Sequence, residues 1–223
     1  FFGHDVMFIE TKQYKLTLIE RFIKRSIDII GAIIGLFLLS VPMLFIALRL
    51  KTESPDEKVL YAGVRAGKDL KPFKCWKFRT MKSNSDHLLE AYLAENPDEK
   101  AYWDRYLKLK EDPRVVTKTT KFIRKTSIDE LPQLWNVLKG EMAIVGPRPI
   151  LPNEIDLYGE PIKYYKSMRP GITGLWQVSG RSETSFKRRI MWDRWYVRNW
   201  SLWGDIVIII KTVLVVLYGK GAT

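Results

Sequence analysis

The chain has 223 residues, enough for one domain with a substantial core, and carries a formal charge of +12 from 37 Lys+Arg against 25 Asp+Glu. That balance favours a polyanionic partner (nucleic acid, a phosphorylated ligand or an anionic membrane) without choosing among them. A single cysteine, Cys75, excludes an internal disulfide and makes a reducing, cytoplasm-facing setting the default. His4 and His87, far apart in sequence, argue against zinc and leave a hard ion held by carboxylates and phosphates as the metal chemistry to expect.

The chain opens Phe1-Phe2-Gly3 rather than with Met, so a longer natural protein is expected, with residues 1–20 as the lead-in. Val6 to Glu10 reads as a short strand. Ile27 to Leu48 is the one long apolar stretch, 22 residues, or about 33 Å as unbroken helix against a hydrocarbon core of about 30 Å. A spanning helix is the plain reading. Two features favour a re-entrant one over residues 21–51. Pro42 removes a backbone hydrogen bond and crowds the preceding turn, with Ser40 placed to satisfy a freed carbonyl. The flanks are also basic on both sides: Lys12, Lys15, Arg21, Lys24 and Arg25 before, Arg49, Lys51 and Lys58 after. Such a helix enters, bends near Pro42 and leaves on the same side. No small-residue cleavage site follows the apolar run, which argues against a signal peptide.

Residues 52–223 then read as one water-facing domain. Val59 to Tyr61 and Phe73 to Phe78 suit short strands around a turn from Gly63 to Lys71. Residues 83–112 suit a helical hairpin insert broken at Asn96-Pro97-Asp98. Leu131 to Lys139 suits a helix with Pro132 in its first turn and Gly140 as its cap. Glu154 to Lys166 reads as another helix, and Arg169 to Arg181 as a Gly-rich loop. From Met191 onward, Trp192, Trp195, Tyr196, Trp200 and Trp203 crowd a short span before the apolar run Ile206 to Leu217. This tail suits either the headgroup layer of a membrane or an aromatic core.

Four segments could carry chemistry. In Arg124-Lys125-Thr126-Ser127-Ile128-Asp129-Glu130, Ser127 and Glu130 have capping-box spacing. The neighbouring cations fall outside that explanation. A helix start favours anions, so a carboxylate could ligate Mg²⁺ while its neighbour attacks phosphorus. Arg148, between Pro147 and Pro149, is a rigidly mounted guanidinium suited to planar or phosphate recognition, or a surface residue in a turn. Lys77 and Arg79, two apart on a strand, share one face and could bind a diphosphate or face solvent. The segment from Arg169 to Arg181, with Gln177, has glycines that let backbone N–H groups approach an anion, but no Walker or dinucleotide pattern.

Taken in order, these motifs resemble the bacterial sugar transferase family, the monotopic phosphoglycosyl transferases. The resemblance runs from about Arg21 to Gly219 and rests on Lys24-Arg25 with Asp28, Lys77 to Met81, Ser127 to Leu134, Val145 to Pro149, Arg169 to Gly174, and Asn199 to Trp203 with Asp205. Within the family, the hairpin insert and the long Gly-Leu-Trp-Gln-Val-Ser-Gly-Arg segment are most similar to the branch that transfers galactose phosphate to undecaprenyl phosphate. The resemblance implies a mostly helical α/β catalytic domain on a Pro-broken re-entrant helix with amphipathic interfacial helices. It implies Asp129 as nucleophile, Glu130 as Mg²⁺ ligand, Arg124 as a phosphate contact and Arg148 as a nucleotide contact. Lys77 and Asp205 match positions linked to activity. Arg79, Gln177 and Arg181 are further candidate contacts. The Ser-Pro pair of the family is interrupted here as Ser40-Val41-Pro42, and Gly63 and Leu70 stand where a Gln and a Gly are usual. The implied partners are UDP-hexose (galactose over glucose), undecaprenyl phosphate and membrane lipids. A homodimer is allowed, nucleic acid is not expected, and the implied location is the cytoplasmic face of a bacterial inner membrane.

Overall fold

A computed structural model of the chain describes residues 16–81, 85–106, 109, 112–115, 117–179 and 185–218. The expected strand Val6–Glu10 and Arg181 lie outside these residues. The first element, α1 (Leu18–Glu53), is one helix of 36 residues, about 54 Å at the usual rise. It starts earlier than residue 21 because Thr17 and Glu20 close a reciprocal capping box, with Glu20 N 3.3 Å from Thr17 Oγ1 and Thr17 N 2.8 Å from Glu20 Oε2.

Helical backbone continues through Pro42, so the interruption expected at Ser40 and Pro42 does not end α1. One missing amide costs a single bond of the ladder, and the turns on either side are held by Leu39 and Met43 against the domain. The Ser40 hydroxyl donates to the Phe37 carbonyl at 2.8 Å, not to that of Leu38, the residue whose amide partner Pro42 removes. Two faces of α1 differ sharply. Lys24, Asp28, Ala32, Ile46 and Leu50 are buried along one stripe, while Phe22, Ile30, Ile33, Ile34, Phe37, Leu38, Val41, Leu44, Phe45 and Leu48 are exposed. Spacings of four along the stripe keep one face on the domain. The outer face is an apolar surface long enough to anchor in a membrane.

Among the described residues the domain is mostly helical, with two small two-stranded sheets. Strands β1 (Leu60–Ala66) and β2 (Pro72–Phe78) pair antiparallel from Leu60–Phe78 to Ala66–Pro72. Here β1 takes in Gly63 to Ala66, which sequence had placed in the turn. The insert is a hairpin of α2 (Ser85–Glu95) and α3 (Pro97–Tyr106), broken at Asn96 as expected. Then come α4 (Lys118–Lys125), a single 3-10 turn at Ile128–Glu130, and α5 (Gln133–Lys139), capped by Gly140 at φ 81°.

Strand β3 (Ala143–Val145) pairs parallel with β4 (Gly171–Thr173). The helix expected over Glu154–Lys166 is two short ones, α6 (Ile155–Tyr158) and α7 (Ile162–Ser167), parted at Gly159-Glu160-Pro161. The Gly-rich segment is not a loop. It forms β4 and α8 (Leu175–Ser179), and its glycine serves packing: a Cβ on Gly171 would sit 2.1 Å from Gly146 N. The chain ends in α9 (Phe186–Arg198) and α10 (Leu202–Tyr218). The C-terminal aromatics divide between both expectations. Tyr196 is buried, whereas Trp195, Trp203, Ile206, Ile210, Val213 and Leu214 are exposed.

A buried polar network fastens α1 to the domain. Lys24 Nζ lies 2.6 Å from Asp205 Oδ2 and donates to the Val145 carbonyl at 3.0 Å, while Tyr196 Oη donates to Asp205 Oδ1 at 2.7 Å. One turn on, Asp28 Oδ1 accepts the Ile144 amide at 2.8 Å. Asp205→Ala should therefore strand a buried ammonium and cost about 3–5 kcal/mol, read as a lowered thermal unfolding midpoint in detergent. The pair Lys24→Met with Asp205→Leu should recover much of that loss. An equal loss in the double variant would show that the other hydrogen bonds of the network, not the charge pair, hold the helix.

Candidate active site

The carboxylates Asp129 and Glu130 sit in the 3-10 turn between α4 and α5. The capping box expected of Ser127 and Glu130 does not form. Ser127 adopts φ 57° and makes no side-chain cap, and Glu130 turns to Lys77 instead. A positive φ on a non-glycine residue is strained, and here it reverses the chain so that both carboxylates face β2. The turn is too short for a strong macrodipole, so the positive potential comes from side chains.

Lys77, next to last in β2, places Nζ 2.6 Å from Glu130 Oε1 and 3.9 Å from Asp129 Oδ2. Asn136 on α5 holds this strand in place. Its Oδ1 accepts the Trp76 amide at 3.0 Å and its Nδ2 donates to the Lys74 carbonyl at 2.7 Å. Arg124, in the last turn of α4, lies 3.6 Å from Asp112 Oδ2, a carboxylate already gripped by the Arg114 fork at 2.7 Å on each arm. Asp129 is 9% exposed. Burial pushes its carboxyl up to about 6; Lys77 and Arg124 pull the other way, and the charge on Glu130 adds to the rise. Glu130 goes down: burial opposes its charge, but Lys77, Arg148 and Arg65 outweigh that.

Arg148 follows β3. Its amide donates to Asp193 Oδ2 at 3.4 Å, its guanidinium lies 5.5 Å from the Trp176 ring, and its charge helps hold Glu130 ionised. The structure thus brings Asp129 and Glu130 together on Lys77, with Arg124 and Arg148 acting on them through charge.

Other candidates face elsewhere. Strand alternation stops at Phe78, so Arg79 leaves the Lys77 face and binds Glu57 Oε2 at 2.7 Å. Asp205 has Lys24, Tyr196 and Trp200 as partners and belongs to the helix anchor. The Gln177 amide donates to the Ile172 carbonyl at 2.9 Å. Sequence reasoning missed Asn136, Arg65, Arg189 and Asp193. Asn136 lies six residues past Glu130, on the helix that follows the dense segment, and could have been weighed with it. The other three are single polar residues without a local pattern.

A partly buried carboxylate pair beside Lys77, on an α/β domain packed along one face of a long apolar helix, is the chemistry-bearing site of this fold. The chain belongs to the bacterial sugar transferase family, whose sequence model matches residues 19–219. It is 45% identical over 221 residues to the undecaprenyl-phosphate galactose phosphotransferase of Salmonella typhimurium, covering 99% of this chain and 46% of that protein. It is 43% identical over 199 residues to the exopolysaccharide production protein ExoY of Sinorhizobium fredii, covering 89% of this chain and 87% of that protein. It is 39% identical over 212 residues to the UDP-glucose:undecaprenyl-phosphate glucose-1-phosphate transferase of Escherichia coli, covering 92% of this chain and 42% of that protein. The chain thus spans less than half of the first and third relatives and most of the second.

The raised Asp129 carboxyl has a consequence for stability. Well below pH 4 the group is protonated in folded and unfolded chains alike and contributes nothing. Between the unfolded value of 3.8 and the folded value of about 6 the unfolded chain ionises first, so stability falls as pH rises, and above that window the loss is complete. Asp129→Asn should stabilise the protein by about 1–3 kcal/mol at pH 7 and by little near pH 4, read from thermal midpoints across that range. A pH-independent difference would contradict the raised carboxyl.

Proposed function

We propose that this chain transfers hexose 1-phosphate from a UDP-hexose to undecaprenyl phosphate, releasing UMP, in the first membrane step of a bacterial surface polysaccharide. The observation that carries the reading is Asp129, 9% exposed, beside Glu130 and facing Lys77. An Asp129 oxygen bonds to the sugar-bearing phosphorus. The bond from that phosphorus to the oxygen bridging to the nucleotide phosphate breaks, and UMP departs with the electron pair. An oxygen of undecaprenyl phosphate then attacks the same phosphorus, the bond to Asp129 breaks, and the carboxylate is regenerated. Lys77 and Arg124 favour the ionised form of Asp129 and offset charge on the transferring phosphoryl group. Galactose is the favoured sugar, because the galactose-named relative matches more of the chain at higher identity than the glucose-named one.

Mg²⁺ fits the donor set. It takes one or two carboxylates and completes its shell with phosphates and water. Glu130 is the residue to hold it, next to Asp129. Among the described residues no group of three or more His, Cys, Asp or Glu gathers into a protein-only cage. When bound, the ion would neutralise diphosphate charge.

The membrane helix is re-entrant in this reading, on the cytoplasmic face of the inner membrane. Support comes from the buried stripe of α1, which runs from Lys24 to Leu50, about 39 Å of helix. A helix standing across a hydrocarbon core of about 30 Å would draw the domain packed along it, with Lys74 and Lys77 on β2, to the depth of the lipid chains. A bent helix embedded in one leaflet keeps the apolar face in lipid and the site level with a lipid phosphate. Cysteines placed at Arg21 and Asp56 in a Cys75→Ala background should both react from the cytoplasmic side; labelling from opposite sides would sink the re-entrant topology.

With UDP-galactose present and lipid acceptor withheld, intact-protein mass spectrometry should show one added hexose phosphate, mapped to Asp129. Asp129→Asn should lose adduct and turnover, since an amide is a poor nucleophile of similar shape. Full turnover by Asp129→Asn, checked for deamidation, would favour direct attack by the lipid phosphate in a ternary complex.

A further inference from the structure

We infer that Arg65 and Arg189 join Arg148 around Trp176 to bind the phosphate that stays with the departing nucleotide, a role that rests on the transfer reaction proposed above. Three chain segments meet to build this cluster. The antiparallel bridge between Ala66 and Ile150, with Ala66 N donating to the Ile150 carbonyl at 2.9 Å, brings the end of β1 and Arg65 beside the Pro-Arg-Pro turn. On α9, Asp193 takes the Arg148 amide at 3.4 Å and the Tyr158 hydroxyl at 3.0 Å, and Arg189 stands one helical turn earlier. Trp176, itself buried, has the Arg189 guanidinium 4.9 Å and the Arg148 guanidinium 5.5 Å from its ring centroid. The indole fixes both planar forks.

Like charges crowd this cluster. Burial and then Arg148 push Arg189 down to about 10, and the same two causes, in the same order, lower Arg65. Among the described residues Glu154, Asp193 and Glu130 act on these arginines. Glu154 also accepts the Leu151 amide at 2.7 Å, and burial pushes the Asp193 carboxyl up to about 7. Arg65 Nη1 is buried with no hydrogen-bond partner among the described residues. A buried guanidinium arm without an acceptor, among like charges, is costly unless an anion completes it. The position fits the reaction. In the β1–β2 pairing Arg65 stands opposite Phe73 and Tyr61 opposite Lys77, so Arg65 and Lys77 share one face of the hairpin, with Lys77 on Glu130 at 2.6 Å. Cations on that face can meet the phosphate that gains charge as the bridging bond breaks.

The test is equilibrium binding of UMP to the full chain in detergent, with inorganic phosphate and uridine as comparators, for wild type, Arg65→Gln, Arg65→Lys and Arg189→Gln. Thermal midpoints without ligand establish folding. Arg65→Gln should fold normally and bind UMP and phosphate about tenfold more weakly or worse, with uridine binding unchanged. Arg65→Lys should recover part of the affinity, since an ammonium restores charge but not the fork. If Arg189→Gln lowers the midpoint, the half-buried Arg65 alone decides. Wild type that binds UMP while both glutamine variants bind it equally well overturns this inference and leaves the transfer reaction standing. Uridine affinity falling as far as UMP affinity overturns the assignment to phosphate. Wild type that fails to bind UMP defeats the transfer reading itself.

Discussion

The pairing of Lys24 with Asp205 inside the protein sets the geometry on which everything else depends. Two buried charges are expensive to desolvate, and a well-packed apolar pair would hold two helices together as firmly. An ion pair does something an apolar contact does not: it fixes one register. Lys24 also donates to the Val145 carbonyl, and Asp28 takes the Ile144 amide, so α1 is hydrogen-bonded to β3 itself. The chain passes from β3 through Gly146 and Pro147 to Arg148. On the other side Tyr196 joins the network from α9, the helix that carries Arg189 and Asp193. The position of the apolar helix on the domain and the position of the arginines are therefore set by one network.

From that frame the site follows as a problem in charge placement. Burial works against the charge on Asp129, and Lys77 with Arg124 works for it. The nucleophilic role proposed for Asp129 needs both, a poorly solvated carboxylate that can still ionise. Glu130 is pulled the opposite way by its closer contact with Lys77 and by Arg148 and Arg65, so two adjacent carboxyls have environments that drive them apart. The strained turn at Ser127 makes this division possible, because it turns the pair toward β2 instead of leaving Glu130 to cap α5.

The parts of the site that were legible in sequence share one property: their chemistry is concentrated in a short segment. Asp129, Glu130 and Arg124 stand within seven residues, and Arg148 lies between two prolines. Asp193, Arg189 and Arg65 are each one polar residue in an unremarkable stretch, and they acquire meaning only because β1, the turn after β3 and α9 converge on Trp176. The failures have equally local causes. Ser127 and Glu130 have capping spacing, but a cap competes with the Lys77 ammonium, and the ion pair wins. Glycines at 171 and 174 looked like an anion cradle, whereas they are there because β4 runs too close to Gly146 for any side chain.

Sequence by itself determined the long apolar helix, the β1–β2 hairpin, the broken helical insert, the cap at Gly140 and the family, because each depends on periodicity, composition or neighbours a few residues away. Tertiary structure alone decided which face of α1 meets the domain, that Asp205 anchors a helix, that Arg79 turns to Glu57, and which arginines stand around Trp176. Those outcomes rest on contacts between residues tens to nearly two hundred positions apart, whose strength comes from burial. No local pattern encodes burial, since it exists only once the chain has closed on itself.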